Sequence, residues 1–342
     1  MIHFRNDYSA GAHPAVLQAL TDTNFELTAG YGTDSYCVAA ADMIRSLCAC
    51  PGADVHFFVG GTQVNKTALG AFLRPYEAVI AADSGHICVH ETGAIEHNGH
   101  KVIACPSGDG KVTPEMIEAV CAVHSGEHMV TPRLVYISNT TEVGTVYSLR
   151  ELEALRKTCD AYGLYIYCDG ARLGCAMTAP GSDADFADYA RCCDAFTIGG
   201  TKNGLLFGEA LVLTNEALKP SFRACMKQQG ALLAKGRLLG VQFAAMLKDG
   251  LYLTVAREAN RLAGELTAGL TALGVPMLAD SPSNQVFPIL PNRVVKALEA
   301  EFTFELQQVM DTEHTCIRLV TGWNSVQSDV DALLAKLKEL LK

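Results

Sequence analysis

Three short segments combine side chains able to do chemistry with backbone able to place them. Ala195-Phe196-Thr197-Ile198-Gly199-Gly200-Thr201-Lys202-Asn203-Gly204 is an apolar run that delivers one lysine into a glycine-lined bend. A lysine with little water around it sheds its charge more readily and becomes a nucleophilic amine that can form a Schiff base. Leu164-Tyr165-Ile166-Tyr167-Cys168-Asp169-Gly170-Ala171-Arg172 ends an apolar run on a carboxylate. Such a partly buried ion persists only beside a cation or hydrogen-bond donors. Phe57-Phe58-Val59-Gly60-Gly61-Thr62-Gln63-Val64-Asn65 passes through two glycines into a helical pattern. Free backbone N–H groups and the positive dipole end of a helix together bind phosphate, and glycine permits close approach.

Each segment alone has an ordinary structural explanation. The glycine pair also suits a tight turn, Asp169 a structural ion pair with Arg172, and Lys202 an exposed loop. Taken together they supply what pyridoxal phosphate needs: a phosphate cradle, a carboxylate for the pyridinium nitrogen and an amine for the aldehyde. Asp83 follows the next strand, where a ribose-reading carboxylate would sit. The GxGxxG spacing is absent, which disfavours a dinucleotide. No HExxH or clustered His/Asp set suggests a metal.

These residues require elements to carry them. Short β-rich runs occur at 54–59, 78–82, 101–104, 134–138, 164–168, 195–198 and 210–213, and helical periodicity occurs at 64–72, 114–123, 148–162 and 185–192. This alternation predicts an α/β fold with a mostly parallel central sheet and helices on both faces, with ligands at the carboxyl ends of the strands. After residue 240 the texture changes. A helix over 251–273, strands near 285–289, 302–306 and 316–320, and a closing helix over 327–341 predict a smaller C-terminal α/β unit. The expected division is an N-terminal arm, 1–20, joining the small domain; a large domain, 21–245; and a small domain, 246–342.

Composition agrees with a globular enzyme. Of 342 residues, 49% are hydrophobic and 19% charged, with Gly 30 and Pro 12 dispersed. The net charge of −10 and the absence of a basic run give no footing for nucleic acid or an anionic membrane. Apolar runs such as 205–207 and 210–213 are broken long before the ~20 residues a span requires. The opening Met1-Ile2-His3-Phe4-Arg5-Asn6-Asp7 lacks the plan of a secretory signal. Thirteen cysteines form neither a disulfide framework nor CxxC knuckles, and the expectation is reduced core thiols in a cytoplasmic protein.

From Arg5-Asn6-Asp7 to Arg318-Leu319-Val320-Thr321 the chain resembles the low-specificity L-threonine aldolases, which are fold-type I pyridoxal-phosphate enzymes like aspartate aminotransferase. Gly61-Thr62-Gln63-Val64-Asn65, His86 with Glu91, Asp169-Gly170-Ala171-Arg172 and Thr201-Lys202-Asn203-Gly204 carry the resemblance. It implies that Lys202 holds pyridoxal 5′-phosphate, Asp169 pairs its ring nitrogen, Gly61, Thr62 and Thr201 bind the cofactor, and His86 stacks on its ring. Arg172 and Arg318 resemble the clamp on the substrate carboxylate, and Asn6 stands where the family has a serine touching it. Tyr31 resembles a loop residue offered to a neighbouring subunit, and Lys227, Lys235 or Arg237 is implied to reach that neighbour's phosphate. A homodimer or homotetramer with shared sites follows.

The chain also departs from the family. Asn139-Thr140-Thr141-Glu142 stands where many members read Asn-Thr-His-Asn, so a second active-site histidine is missing. His86, His90 and Glu91 remain as candidate bases. The implied reaction is retro-aldol cleavage of L-threonine or L-allo-threonine to glycine and an aldehyde. The alternative is another reaction on the same scaffold, an aminotransferase or a β-eliminating amino-acid lyase.

Overall fold

Seven strands gather into one sheet in the computed structural model, which describes residues 1–342. They are β1 (Asp54–Phe58), β2 (Glu77–Ala82), β3 (Val102–Cys105), β4 (Thr131–Ser138), β5 (Tyr165–Asp169), β6 (Ala195–Gly199) and β7 (Glu209–Leu213). The spatial order is β1-β7-β6-β5-β4-β2-β3. All neighbours run parallel except β7, which is antiparallel to both β1 and β6.

Strand periodicity explains why the sheet is buried on both faces. Val135 and Ile137 of β4 join one hydrophobic core with Ile166, Cys168, Phe196 and Ile198, whereas the intervening Leu134 and Tyr136 join a second core with Tyr167 and Ala195. Successive side chains of a strand point to opposite faces, so two separate cores along one strand mean cover on each side. The connecting helices start where capping chemistry places them. Ser148 with Glu151, and Asp185 with Asp188, form reciprocal capping boxes at Leu149–Tyr162 and Phe186–Cys192. Thr113 caps Pro114–Val123, which has proline in its first turn.

The sequence expectation omits helices Pro14–Asp22, Ser35–Leu47 and Arg237–Leu247. The second of these was readable, because Asp34 caps it and Cys37, Ala40, Ala41 and Ile44 form its buried stripe. The segment Arg237–Ala272 is apolar and long enough to cross a membrane by composition, unlike the short runs singled out from sequence. It is interrupted at Asp249 (φ 53°) and Gly250 (φ 71°), and its helices contribute Phe243, Met246, Tyr252 and Leu262 to the protein cores.

A smaller layer surrounds the longest C-terminal strand. β8 (Gln285–Val286), β9 (Ile289–Pro291) and β10 (Glu305–Val309) all pair antiparallel with β11 (His314–Val320). Its core unites Leu262, Leu266, Ile317, Leu319, Leu333 and Leu337 with Phe4 from the N-terminus. Ile2–His3 pairs with Phe302–Thr303, but Ala12 and Val16 belong to the large core. Tyr252 and Val255 also belong to the large core, and Leu262 to the small one. We propose on this ground that the units divide within helix Leu251–Ala272 rather than at residue 245, and that the first few residues, not all of 1–20, join the small unit.

Candidate active site

The carboxyl ends of the parallel strands converge on a cleft of about 170 Å³. Gly61, Thr62, His86, Asp169, Arg172, Thr201 and Lys202 all line it, so seven residues singled out from sequence meet in one place.

β1 enters helix Gly61–Phe72 through Gly60, which has no side chain to cap the helix. A Cβ added at Gly60 or Gly61 would meet nothing within 4 Å, so both backbones border open space. The arrangement leaves backbone N–H donors for an anion. Asp83 stands apart from this cleft, with Oδ1 accepting from the Ser107 backbone at 3.2 Å, so it gives no support to a ribose site.

Asp169 is the last residue of β5 and only 7% exposed. Its Oδ2 accepts from Asn65 Nδ2 at 2.9 Å and Tyr136 OH at 2.7 Å, and its Oδ1 accepts from the Ala171 backbone at 2.9 Å. Burial pushes its carboxyl up. The charges of His86 and Lys202 and the hydrogen bonds from Asn65 and Tyr136 outweigh that and hold it below the usual carboxylate value. The ion therefore persists at neutral pH and can face a protonated nitrogen. Gly170 is required next to it, since a Cβ there would stand 1.9 Å from the carbonyl oxygen of Thr197. That close approach, with Thr197 Oγ1 accepting from Gly170 N at 2.7 Å, locks the end of β5 against the strand that carries Lys202.

His86 follows β2 and opens a short helix, His86–Val89. Its Nδ1 pairs with Glu91 Oε1 at 2.8 Å, and Glu91 Oε1 also accepts from Asn65 Nδ2 at 2.7 Å. A carboxylate on Nδ1 fixes the proton there and leaves Nε2 as the accepting nitrogen. Burial lowers the pKa of His86. The Glu91 hydrogen bond and the charges of Glu142, Asp169 and Glu91 exceed that effect and raise it above the ordinary value. His90 lies beside it, ring centroids 5.5 Å apart, and burial shifts it the opposite way.

The two arginines occupy different states. Arg172 donates to Asp7 from Nε at 2.7 Å and from a terminal nitrogen at 3.0 Å. Arg318 of β11 is half-buried, and its Nε has no partner. Burial and the charge of Arg172 push the Arg318 pKa down. A guanidinium group with a free donor next to a second cation is suited to binding a carboxylate.

Asn6 is used locally, with Oδ1 accepting from Tyr8 N at 3.1 Å and Ser9 Oγ at 2.8 Å. Tyr31, Lys227, Lys235 and Arg237 lie away from the cleft. Tyr31 is held at φ 57°, with Lys227 Nζ 4.7 Å from its ring centroid. Arg237 is engaged by the carbonyl oxygens of Thr23, at 2.7 Å, and Asn24, at 3.3 Å. Four residues that matter to the cleft or its supports carry no role predicted from sequence: Asp7, Asn65, Glu142 and Glu209. Asn65 sits inside a motif already quoted, and its place one helical turn after Gly61 was the available signal.

The family model for beta-eliminating lyases matches residues 3–293. The low-specificity L-threonine aldolase of Pseudomonas aeruginosa is 33% identical over 302 residues, covering 87% of this chain and 86% of that protein. That of a Pseudomonas species (strain NCIMB 10558) is 31% identical, covering 99% and 97%. The solved structure of a Leishmania major threonine aldolase is 46% identical, covers both chains fully and superposes with a TM-score of 0.99. An aspartate aminotransferase from Thermus thermophilus, at 16% identity and a TM-score of 0.73, shares the fold. The matches span the cleft-lining segments as well as the scaffold, and the chain belongs to the beta-eliminating lyase family, among the low-specificity threonine aldolases.

Proposed function

We propose that the protein is a pyridoxal-phosphate-dependent carbon–carbon lyase that cleaves L-threonine, L-allo-threonine and related 3-hydroxy amino acids to glycine and an aldehyde. The observation that carries this reading is the opening of Lys202, ionised Asp169, His86 and the uncapped helix at Gly61 into a single cleft.

The residues fit the cofactor on three counts. The open space at Gly60 and Gly61 suits a phosphate, Asp169 suits a protonated ring nitrogen, and Lys202 is the amine lining the same cleft. Bound there, pyridoxal phosphate supplies an aldehyde for amines and an electron-accepting ring that stabilises the electrons left at Cα. Asp169 keeps the ring nitrogen protonated through the charge it retains. Gly61, Thr62 and Thr201 anchor the phosphate. Arg172, already oriented by Asp7, and Arg318 with its free Nε hold the substrate carboxylate. Fixing that group selects which bond at Cα stands ready to break. His86 Nε2 accepts the β-hydroxyl proton, and Glu91 stabilises the charge that results.

A shared site between subunits is the second part of the reading. Phe25 and Leu27 are 93% and 100% exposed on the loop that leads to Tyr31, and an apolar loop of this kind suits a partner surface. Lys227 and Lys235 stay available for a neighbour's phosphate, whereas Arg237 is occupied by its own loop. Thirteen unpaired cysteines favour a reducing, cytoplasmic setting.

The test has two arms, incubation with L-threonine and, on a separate sample free of amino acid, borohydride trapping. Acetaldehyde with glycine, and a reduced cofactor on Lys202, support the proposal. Pyridoxamine phosphate would indicate an aminotransferase and 2-oxobutanoate a β-eliminating lyase. A label on another side chain, or on none, would overturn the cofactor assignment.

A further inference from the structure

Glu209 is a carboxyl group in the cleft for which the lyase reading has no task. Because β7 is antiparallel, its first residue lies at the carboxyl edge of the sheet, among the parallel strand ends. Glu209 pairs with Phe58 of β1 on one side and with Gly199 of β6 on the other. Phe58 leads through Val59 into Gly60 and Gly61, and Gly199 leads through Gly200 into Thr201 and Lys202. Glu209 lines the same cleft as Gly60, Gly61 and Thr62 at the start of helix Gly61–Phe72.

Two further observations concern that same place. Glu209 is 5% exposed yet lines the cleft, and its Oε2 has no hydrogen-bond partner. The helix it borders has 12 residues and no side-chain cap, so its first N–H groups lack a partner of their own. An anion site and a buried carboxylate repel each other, which makes a charged Glu209 unsuited to this position. A carboxyl group that keeps its proton is instead a third donor.

We propose that Glu209 acts as a neutral hydrogen-bond donor to the phosphate bound at the N-terminus of helix Gly61–Phe72, complementing the backbone N–H groups of Gly61 and Thr62. The inference rests on the cofactor reading above and deepens its phosphate site. The surroundings favour the protonated form. Burial pushes Glu209 up to about 8; Lys202, Thr201 and the Gly200 backbone work against that, and Asp169 adds to it. The other titratable groups near it, Tyr167 and Tyr252, are buried phenols raised well above their ordinary values and carry no charge at neutral pH. Phe58 brings no charge from the β1 side. A phosphate dianion raises the carboxyl further, so no proton needs to move when it binds near pH 7.

The experiment measures binding of 4′-deoxypyridoxine phosphate to the full chain freed of cofactor, by calorimetry across the alkaline range. This probe carries the phosphate and ring but no aldehyde, so Lys202 forms no bond to it. Wild-type affinity is expected to fall about tenfold between about pH 7 and about pH 9, as Glu209 ionises. Glu209→Gln, which preserves a neutral donor, should bind comparably at pH 7 and lose that decline. Glu209→Ala should bind about tenfold more weakly at pH 7. An equal decline in wild type and Glu209→Gln, or none in wild type, overturns the proposal. If the variants fail to fold, wild type alone decides: unphosphorylated 4′-deoxypyridoxine must lack the decline, and a decline shared by both probes defeats the inference. Borohydride trapping on wild type separates the two readings. Absent trapping defeats the cofactor assignment, whereas normal trapping with pH-independent phosphate binding defeats only the role of Glu209.

Discussion

Asp7 and Arg172 form a two-pronged ion pair, with Oδ2 accepting from Nε at 2.7 Å and Oδ1 from a terminal nitrogen at 3.0 Å. Both side chains are almost fully buried, and Asn284 Nδ2 donates to the same Oδ2 at 3.0 Å. One contact thus joins the N-terminal segment, the loop after β5 and the small unit, at the wall of the cleft where the substrate carboxylate is proposed to bind.

Removing one partner leaves a buried charge uncompensated. Asp7→Ala is expected to cost about 3–5 kcal/mol of stability, the range for breaking a buried pair. Chemical denaturation at neutral pH measures it, and a loss below about 1 kcal/mol would show that water reaches Arg172. The pair also carries an acid limit. Burial pushes Asp7 up, but the charges of Arg172 and Lys202 and its hydrogen bonds bring it below 3.8. A depressed carboxylate contributes stability that is complete above its unfolded value and is lost as pH falls through its folded value. Wild type should therefore destabilise below about pH 4, and Asp7→Asn should show a shallower decline there.

Asp169 supports a prediction about rate rather than stability. Asp169→Asn retains a similar shape and removes the charge held below the usual carboxylate range by His86, Asn65, Tyr136 and Lys202. Loss of one aligned electrostatic group lowers kcat by ~10²–10³-fold in other enzymes, and a drop of that order is expected for threonine cleavage. Borohydride trapping on Lys202 should persist in the variant, which separates lost chemistry from lost binding. Unchanged kcat would remove Asp169 from its assigned role.

What could be read from sequence follows from how each residue is presented. Lys202, Asp169 and Gly61 were legible because each ends an apolar run, and the fold places strand ends at the ligand. Asn65 and Glu91 were harder, since their value lies in a hydrogen-bonded chain from His86 to Asp169 through residues distant in sequence. Glu209 was hidden by direction. A 210–213 strand assumed to follow its parallel neighbours would put its start at the far edge, and only the antiparallel register with Phe58 and Gly199 brings it to the cleft. Arg172 was legible as a cation, but its buried partner is Asp7, some 165 residues away in the chain.

Arg318 yields a prediction about binding. Its unpartnered Nε and the adjacent charge of Arg172 suit it to hold a carboxylate. Arg318→Lys keeps the charge but cannot offer the planar fork. Loss of a charge-assisted hydrogen bond costs about 1.5–3 kcal/mol, which corresponds to a KM for L-threonine raised ~10–100-fold. Steady-state kinetics against threonine concentration measure this. A fall in kcat at constant KM would instead place Arg318 outside substrate recognition.

His86 sets the pH dependence. If Nε2 accepts the hydroxyl proton, only the neutral ring is active, and kcat rises with pH through a pKa raised above 6.5 by the Glu91 hydrogen bond and by the charges of Glu142, Asp169 and Glu91. Glu91→Gln removes the partner 2.8 Å from Nδ1 and one of those charges. The acidic limb should then move to lower pH, because the protonated ring loses more stabilisation than the neutral one. The plateau should fall as well, since the imidazolium formed during turnover is no longer paired. The opposite displacement, towards higher pH, would mean that the protonated ring is the active form, and an unmoved limb in both Glu91→Gln and His86→Gln would assign the titration to another group. Glu142→Gln serves as the companion measurement. It also faces His86 from the cleft, so it should shift the limb in the same direction without breaking the Nδ1 contact, and a shift seen only in Glu91→Gln would identify the hydrogen bond rather than the summed charge as the cause.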